Sequence, residues 1–268
     1  MELKTIFLSE GLSVEHYYAK DISHKKVAFI FSPLMNKHLS GNLYGGELLF
    51  RNGYDVVSFK SIENNWFQSV PGHVLQSINE MLFEAGYEKR VGYGGSLGGY
   101  AAIAFSKIFD FDIVLAISPQ YSTKESYDGR WLQFTRSVNW KYEITPETIN
   151  PNCKYFLIYD DLDRDAFHIN SLSKLINPSN LSTKIISGSG HPTTHHMEAI
   201  GVLKGVAVSV LENFNVDGID LNKPLPLKPD PKFSKASFKS NLGPNDLCPC
   251  GRIDPQTNKQ KKYKKCCM

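Results

Sequence analysis

The sequence predicts an α/β protein in which a mostly parallel sheet is covered by helices on both faces. Short apolar runs at 26–32, 54–59 and 154–159 have the length and composition of strands buried inside such a sheet. These runs alternate with segments of helical periodicity, which is the pattern of βαβ units. A glycine-rich turn around Ser96 also separates one such strand from a helix.

The predicted elements follow one another with short connections. In order they are strands 3–9, 14–20 and 26–32, helix 43–51, strand 54–59, helix 74–85, a strand ending at 91–93, helix 100–109, strands 112–117 and 154–159, helix 166–175, strand 184–187 and helix 196–214. Residues 122–150 lack clear periodicity, and they form either a lid or a connector.

The chain length of 268 residues suits one large domain with a small appendage. We expect the large domain to cover 1–214. A semi-rigid linker is predicted over 215–240, because Pro224, Pro226, Pro229 and Pro231 cannot continue a packed helix or sheet. The remaining segment, 241–268, differs in composition from the rest and is treated as a separate module.

Charge and cysteine are concentrated in that last segment. It carries six Lys/Arg against two Asp, and four of the five cysteines of the chain. The main body therefore offers no basic surface for nucleic acid. The N-terminal residues do not resemble a signal peptide, and no apolar run reaches the length of a membrane span. A cytoplasmic setting is expected, and there clustered cysteines favour metal binding over disulfides.

The stretch Gly94-Gly95-Ser96-Leu97-Gly98-Gly99 contains the pattern Gly-x-Ser-x-Gly between a predicted strand and a predicted helix. A serine held on a sharp turn leaves no room for neighbouring side chains, so residues without a Cβ flank it. The following helix directs its N-terminus at the serine. We therefore predict that Ser96 is a nucleophile and that the Leu97 N–H stabilises an oxyanion.

A nucleophilic serine needs a histidine base and an acid that orients it. In this class of sheet the chain order is Ser, acid, His, with each residue at the carboxyl end of a strand. Asp163 follows strand 154–159 and His191 follows strand 184–187, so Ser96, Asp163 and His191 form the predicted triad, which needs no cofactor. Both loops offer alternatives: Asp160, Asp161 and Asp165 for the acid, and His195 and His196 for the base.

The second oxyanion donor is expected in the loop after strand 26–32. Pro33 has no N–H, so Leu34 is the better candidate and Ser32 the other. Trp66, Gln120 and Tyr121 leave neighbouring strand ends, and we predict that they line the substrate pocket.

Residues 1–213 resemble an α/β-hydrolase. The runs 93–102 and 116–120 are similar to bacterial hydrolase-like proteins associated with surface polysaccharide and glycosyltransferase systems. The resemblance implies hydrolysis or transfer of the acyl group of a small or sugar-linked ester. The chain departs from many lipases, because Ser32-Pro33 stands where those carry a His-Gly oxyanion dipeptide.

The C-terminal tail places Cys248 and Cys250 in one close pair and Cys266 and Cys267 in another. Four thiolates can close a tetrahedral Zn²⁺ site and so fold a segment too short to own a core. The tail resembles the SEC-C motif, although the spacer 252–260 is longer than is usual there. That resemblance implies a zinc-stabilised module that docks on a protein or ribosomal partner.

Together these observations predict a bacterial serine esterase with a zinc-binding tail. An acyltransferase that uses the same acyl-enzyme and a sugar or other alcohol as acceptor is the alternative enzyme. A non-catalytic binding protein on the same fold is the alternative of a different class.

Overall fold

The computed structural model describes residues 1–20 and 24–224, and beyond them only Asn245, Thr257, Lys259 and Lys262. Internal contacts divide the chain into two units, Met1–Pro224 and Leu225–Met268. The helices and strands given below belong to the first unit. The predicted zinc ligands Cys248, Cys250, Cys266 and Cys267 lie outside the described residues, as does the larger part, 225–240, of the predicted linker.

The first unit is built on an eight-stranded sheet. The strands are β1 Glu2–Leu8, β2 Leu12–Tyr18, β3 Lys26–Phe31, β4 Tyr54–Ser61, β5 Lys89–Gly95, β6 Ile113–Ile117, β7 Lys154–Tyr159 and β8 Leu181–Ile185. Their order in the sheet is β1-β2-β4-β3-β5-β6-β7-β8. β1 pairs with β2 and β2 with β4 in antiparallel fashion, and all other neighbours are parallel. The parallel strands all end at one edge, which is where open α/β sheets carry their sites.

Helices cover both faces of this sheet and bury an apolar core on each side, because parallel strands are apolar on both faces. One core includes side chains of α2, α3 and α5, and the other includes side chains of α1, α6 and α7. The helices are α1 Gly46–Arg51, α2 Gly72–Ala85, α3 Leu97–Ala104, α4 Leu132–Thr135, α5 Asp165–Leu175, α6 Thr193–Ala199 and α7 Leu203–Asn213. The predicted fold class, a mostly parallel sheet with helices on both faces, is confirmed.

Several element boundaries differ from the prediction. α3 begins at Leu97, directly after the serine, rather than at Tyr100. The predicted helix 196–214 is two helices, because Gly201 between them has a positive φ of 73°. Packing also continues into the predicted linker, since Val216 and Leu221 are buried in the second core.

Residues 122–150, here called the cap segment, are anchored to the body of the unit. Gln68 Oε1 accepts hydrogen bonds from the backbone N–H groups of Lys141 and Tyr142, each at 2.7 Å. The hydroxyl of Tyr100 in α3 donates to the Tyr142 carbonyl at 2.8 Å. The cap segment is therefore packed against the body of the first unit and is not merely a connector. No helix in the described part of the chain has the length and hydropathy that crossing a membrane requires.

Candidate active site

Ser96 occupies a strained turn between β5 and α3. Its backbone has φ 50° and ψ −117°, and its N–H donates to the Ile117 carbonyl of β6 at 2.8 Å. A non-glycine residue in this region of backbone space costs free energy and persists only where the surroundings enforce it. Such strained positions cluster at functional sites, and this one presents the serine at the carboxyl edge of the sheet.

The glycines around Ser96 are required by close backbone contacts. A Cβ on Gly94 would lie 2.3 Å from the backbone carbon of Gly98, and a Cβ on Gly98 would lie 2.9 Å from the Phe31 oxygen. The end of β5, the start of α3 and the end of β3 therefore meet at distances that only glycine permits. This contact also brings the loop after β3 next to the serine.

Ser96 Oγ lies 2.8 Å from His191 Nε2, and His191 Nδ1 lies 2.9 and 2.8 Å from the two carboxylate oxygens of Asp165. An ionised carboxylate can only accept, so Nδ1 carries the proton and Nε2 accepts from the serine hydroxyl. The side chains of His191 and Asp165 are 8% and 0% exposed. These three residues have the arrangement of a nucleophile, a base and an orienting acid.

The acid beside His191 is therefore Asp165 and not the predicted Asp163. Asp163 instead accepts a hydrogen bond from Arg130 at 2.5 Å. Asp160 accepts from the N–H groups of Gly188 and Gly190, which holds the loop before His191, and Asp161 accepts from Ser187. Asp165 is the first residue of α5, and the turn 160–164 carries it back over the sheet edge to the imidazole.

The pKa of Asp165 lies below its usual range. Burial favours the neutral acid and raises the pKa, but the hydrogen bond from His191 and the charges of His191 and Arg130 outweigh burial. The carboxylate is therefore ionised at neutral pH. In that state it can hold the imidazole in the tautomer that accepts the serine proton.

The alternative histidines lie elsewhere. His195 and His196 belong to α6, where His195 is exposed and His196 is half-buried. The structure thus brings Ser96 and His191 together, as the chain order predicted, and replaces only the acid.

Gln120 makes a second contact with the serine. Its Nε2 donates to Ser96 Oγ at 2.9 Å and lies 3.5 Å from His191 Nε2. Trp66 Nε1–H, which can only donate, lies 3.3 Å from Gln120 Oε1 and so fixes the orientation of the amide. Trp66 and Gln120 are 1% and 0% exposed. A directed chain of hydrogen bonds therefore runs from Trp66 through Gln120, Ser96 and His191 to Asp165.

The predicted oxyanion donors lie at the start of α3 and in the loop after β3. Leu97 begins α3, so its N–H is one of the first four of the helix, which have no partner within it. Of the two candidates after β3, the Ser32 N–H is engaged with the Phe59 carbonyl at 2.9 Å. Leu34 is half-buried and remains the candidate in that loop.

Aromatic side chains of the cap segment pack against His191, Trp66 and Tyr100. The Trp131 ring lies 5.2 Å from the His191 ring and 6.2 Å from Trp66, and Trp140 packs against Trp66 and Tyr100. The Trp131 Nε1–H is buried and has no hydrogen-bond partner among the described residues. A buried donor without a partner carries a free-energy cost that an acceptor on a ligand would relieve.

Two cavities are lined in part by the cap segment. One of 210 Å³ is lined by the predicted pocket residue Tyr121 and by Tyr100, Tyr127 and Trp140 among others. The other, of 540 Å³, lies among polar side chains that include Asn64, Asn65, Gln68 and Gln133. Of the three predicted pocket residues, Trp66 and Gln120 are buried, and Tyr121 lines the smaller cavity.

Sequence reasoning missed Arg130 and Trp131, and it considered Asp165 only as an alternative. Arg130 and Trp131 lie in a segment without periodicity, so no local pattern distinguishes them. Asp165 had one signal, its position directly before the predicted helix 166–175.

No protein-family model and no curated protein matches this chain by sequence. Its structure is similar to the capsule O-acetyltransferase of Neisseria meningitidis serogroup A, with a TM-score of 0.54, 13% identity, and coverage of 77% of this chain and 94% of that chain. It is also similar to a sugar hydrolase from Lactococcus lactis (TM-score 0.55, 13% identity, 80% and 98% covered). A third similar structure is the esterase domain of a Rhodothermus marinus protein (TM-score 0.51, 16% identity, 79% and 99% covered). At these identities the likeness establishes the fold: the first unit is an α/β-hydrolase fold.

Proposed function

We propose that this protein is a serine hydrolase of the esterase type that acts through an acyl-enzyme on Ser96. The observation that carries the proposal is the hydrogen-bonded series Ser96–His191–Asp165, with distances of 2.8 Å on each side of the imidazole. A buried ionised acid, an oriented imidazole and a serine on a strained turn are the parts that acyl transfer requires.

In the first half-reaction Ser96 Oγ attacks the ester carbonyl carbon, and His191 Nε2 takes the serine proton. The tetrahedral intermediate collapses when the imidazolium returns that proton to the leaving alcohol. Water then attacks the acyl-enzyme, giving its proton to His191, and the serine is released with that proton. Asp165 stays ionised throughout and stabilises the imidazolium.

We assign the oxyanion to the Leu97 N–H, with the Leu34 N–H as the second donor. The free N–H at the start of α3 and the positive end of the helix dipole support the first assignment. Contact of β3 with the start of α3 supports the second, because it brings the loop of Leu34 close to Ser96.

We infer that the ester is small. The support is the burial of the nucleophile, because Ser96 is 8% exposed and leaves little room for a bulky substrate. A short acyl group or a single sugar ring is the size of group that we expect Trp66, Gln120 and Tyr121 to contact.

Acyl transfer to an alcohol, sugar or other, is the second candidate. The burial of Ser96 supports it, because a covered acyl-enzyme meets less water and survives longer for an alcohol acceptor. The chemistry is the same, with the alcohol hydroxyl in place of water. Product analysis with and without sugar acceptors separates the two reactions.

For the tail we propose a structural Zn²⁺ bound by Cys248, Cys250, Cys266 and Cys267, with docking on a protein or ribosomal partner. The support is the donor set: four thiolates in two close pairs, within a lysine-rich segment that offsets their charge. No part of the ester chemistry depends on this module.

Labelling with a fluorophosphonate probe tests the proposed mechanism. We expect the wild type to be labelled on Ser96, labelling to be lost in Ser96→Ala and His191→Ala, and labelling to persist in the matched variant His195→Ala. A folded wild type that resists the probe, and that hydrolyses no short-chain ester, would contradict the enzyme and favour a binding protein on the same fold.

A further inference from the structure

Arg130 lies at the centre of a buried ionic cluster that adjoins the proposed triad. Its guanidinium contacts three carboxylates: Asp128 at 2.8 Å, Asp163 at 2.5 Å and Asp165 at 3.2 Å. The Arg130 side chain is 17% exposed, and those of Asp128 and Asp165 are 2% and 0% exposed. Buried charges of this kind are costly unless every one is paired, so the contacts are mutually dependent.

The same cluster joins the cap segment to α5. Asp128 and Arg130 belong to the cap segment, whereas Asp165 and His168 belong to α5. His168 Nδ1 accepts from the Tyr121 N–H at 2.9 Å, so its Nε2–H donates to Asp128 at 2.9 Å. The cap segment is therefore held to the element that presents Asp165 by several charged contacts at once.

One oxygen of Asp165 serves both neighbours. Asp165 Oδ1 accepts from His191 Nδ1 at 2.9 Å and from Arg130 Nη2 at 3.2 Å. A carboxylate with one hydrogen-bonded side can still rotate about its terminal bond, and a second donor on the same group restricts that rotation. Arg130 also precedes Trp131, whose ring packs against His191.

We propose that Arg130 is a positioning residue that fixes the Asp165 carboxylate toward His191 and thereby couples the orientation of the imidazole to the packing of the cap segment against His191. The inference rests on the proposed function for its kinetic consequence. It extends that function by assigning to the cap segment a part in catalysis.

The charged groups around Arg130 determine the direction in which its replacement shifts the pH profile of activity. The cap segment contributes two charged side chains, Asp128 and Arg130. The turn before α5 and α5 itself contribute the charged or titratable side chains of Asp163, Arg164, Asp165 and His168. Removing the positive charge of Arg130 leaves the carboxylates in excess, so the site binds a proton more readily. Removing one carboxylate has the opposite effect.

The test compares Arg130→Met, Arg130→Lys and Asp163→Asn in the 268-residue chain. Asp163→Asn is the matched control, because Asp163 contacts Arg130 but not His191. For Arg130→Met we expect kcat to fall about tenfold or more at the plateau, KM to change less than about threefold, and the acidic limb of the kcat/KM profile to move to higher pH. For Asp163→Asn the limb should move slightly down, with kcat within about threefold.

Arg130→Lys keeps the charge but cannot span three carboxylates, so kcat should fall at least about fivefold while the acidic limb stays in place. Arg130→Lys tests the positioning role of Arg130 if Arg130→Met does not fold. Full kcat in Arg130→Lys would overturn the proposal, as would a pH profile of Arg130→Met that matches the wild type.

A readout without substrate separates this inference from the proposed function. The proton in the His191–Asp165 hydrogen bond should give a low-field ¹H NMR resonance that is absent in His191→Ala. We expect it in the wild type and in Asp163→Asn, and shifted or lost in Arg130→Met. An unaltered resonance in Arg130→Met would overturn the positioning role even if the protein proved not to be an esterase.

Discussion

The carboxylate of Asp165 lies 2.8 Å from His191 Nδ1, although the two residues come from different elements, the start of α5 and the loop after β8. The contact is buried, and the Asp165 carboxylate is ionised at neutral pH. It makes Asp165 our proposed orienting acid for the imidazole, whereas Asp163 pairs with Arg130.

Asp165→Asn should therefore lower kcat by about 10³- to 10⁴-fold, because an amide stabilises the wrong tautomer and cannot balance an imidazolium. Asp163→Asn should lower it less than about threefold. Steady-state hydrolysis of a short-chain ester by both variants, with circular dichroism as the check on folding, makes the comparison. Equal losses in the two variants would contradict the assignment.

Gln120→Leu should slow fluorophosphonate labelling of Ser96 about tenfold, because the variant removes a buried donor from the serine oxygen. Trp66→Phe should slow it less, about threefold, since the Gln120 amide loses its orienting donor but keeps its own N–H groups. The double variant should resemble Gln120→Leu, because the two residues act in one chain. Additive losses would indicate independent roles.

Gly94→Ala should destabilise the first unit by more than about 2 kcal/mol or prevent folding, because the new Cβ meets the Gly98 backbone at 2.3 Å. Gly72→Ala is the matched control, because the residue begins α2 and its added methyl group would meet no atom within 4 Å among the described residues outside its own helix turn. It should change the free energy of unfolding by less than about 1 kcal/mol. Urea denaturation of both variants measures the difference.

Acid should destabilise the protein through Asp128 and Asp165. Burial raises the pKa of each carboxyl, but other contacts outweigh it and hold both pKa values below their usual range. For Asp128 these are hydrogen bonds from His168 and Arg130 and the charge of Arg130. For Asp165 they are the hydrogen bond and charge of His191 and the charge of Arg130. The folded state thus binds these protons less tightly than the unfolded state. The resulting stability is present above about pH 4, the ordinary pKa of an aspartate, and is lost as the pH falls below it.

Asp128→Asn should accordingly cost about 2 kcal/mol at pH 7 and make the remaining stability less dependent on pH below 4. Urea unfolding across this pH range, compared with the more exposed control Asp163→Asn, measures the effect. An unchanged slope in Asp128→Asn would mean that its carboxylate is not linked to folding.

The 268-residue chain should carry about one Zn²⁺, and Cys248→Ser with Cys250→Ser should remove it. Elemental analysis after dialysis measures the metal, and Cys153→Ser is the matched control, because Cys153 is buried in the core of the first unit. Ester hydrolysis should be unaffected by loss of the metal. Zinc retained in the double variant would contradict the predicted ligands.

The sequence alone predicted the sheet, the turn at Ser96 and the histidine. These features depend on local rules: apolar runs form buried strands, glycines permit the strained turn, and parallel strands bring their carboxyl ends to one edge. The break between α6 and α7 at Gly201 escaped prediction, because the apolar periodicity continues through it.

Only the tertiary structure distinguished the acids after β7. Asp160, Asp161, Asp163 and Asp165 lie within six residues of one loop and helix start, and the path of that turn decides which carboxylate reaches His191. Only the tertiary structure likewise revealed the hydrogen bond from Gln120 to Ser96 and the contacts of Arg130 and Trp131, which come from a segment without periodicity. Sequence patterns record what each residue does for its own element, whereas contacts between distant elements depend on how the whole chain packs.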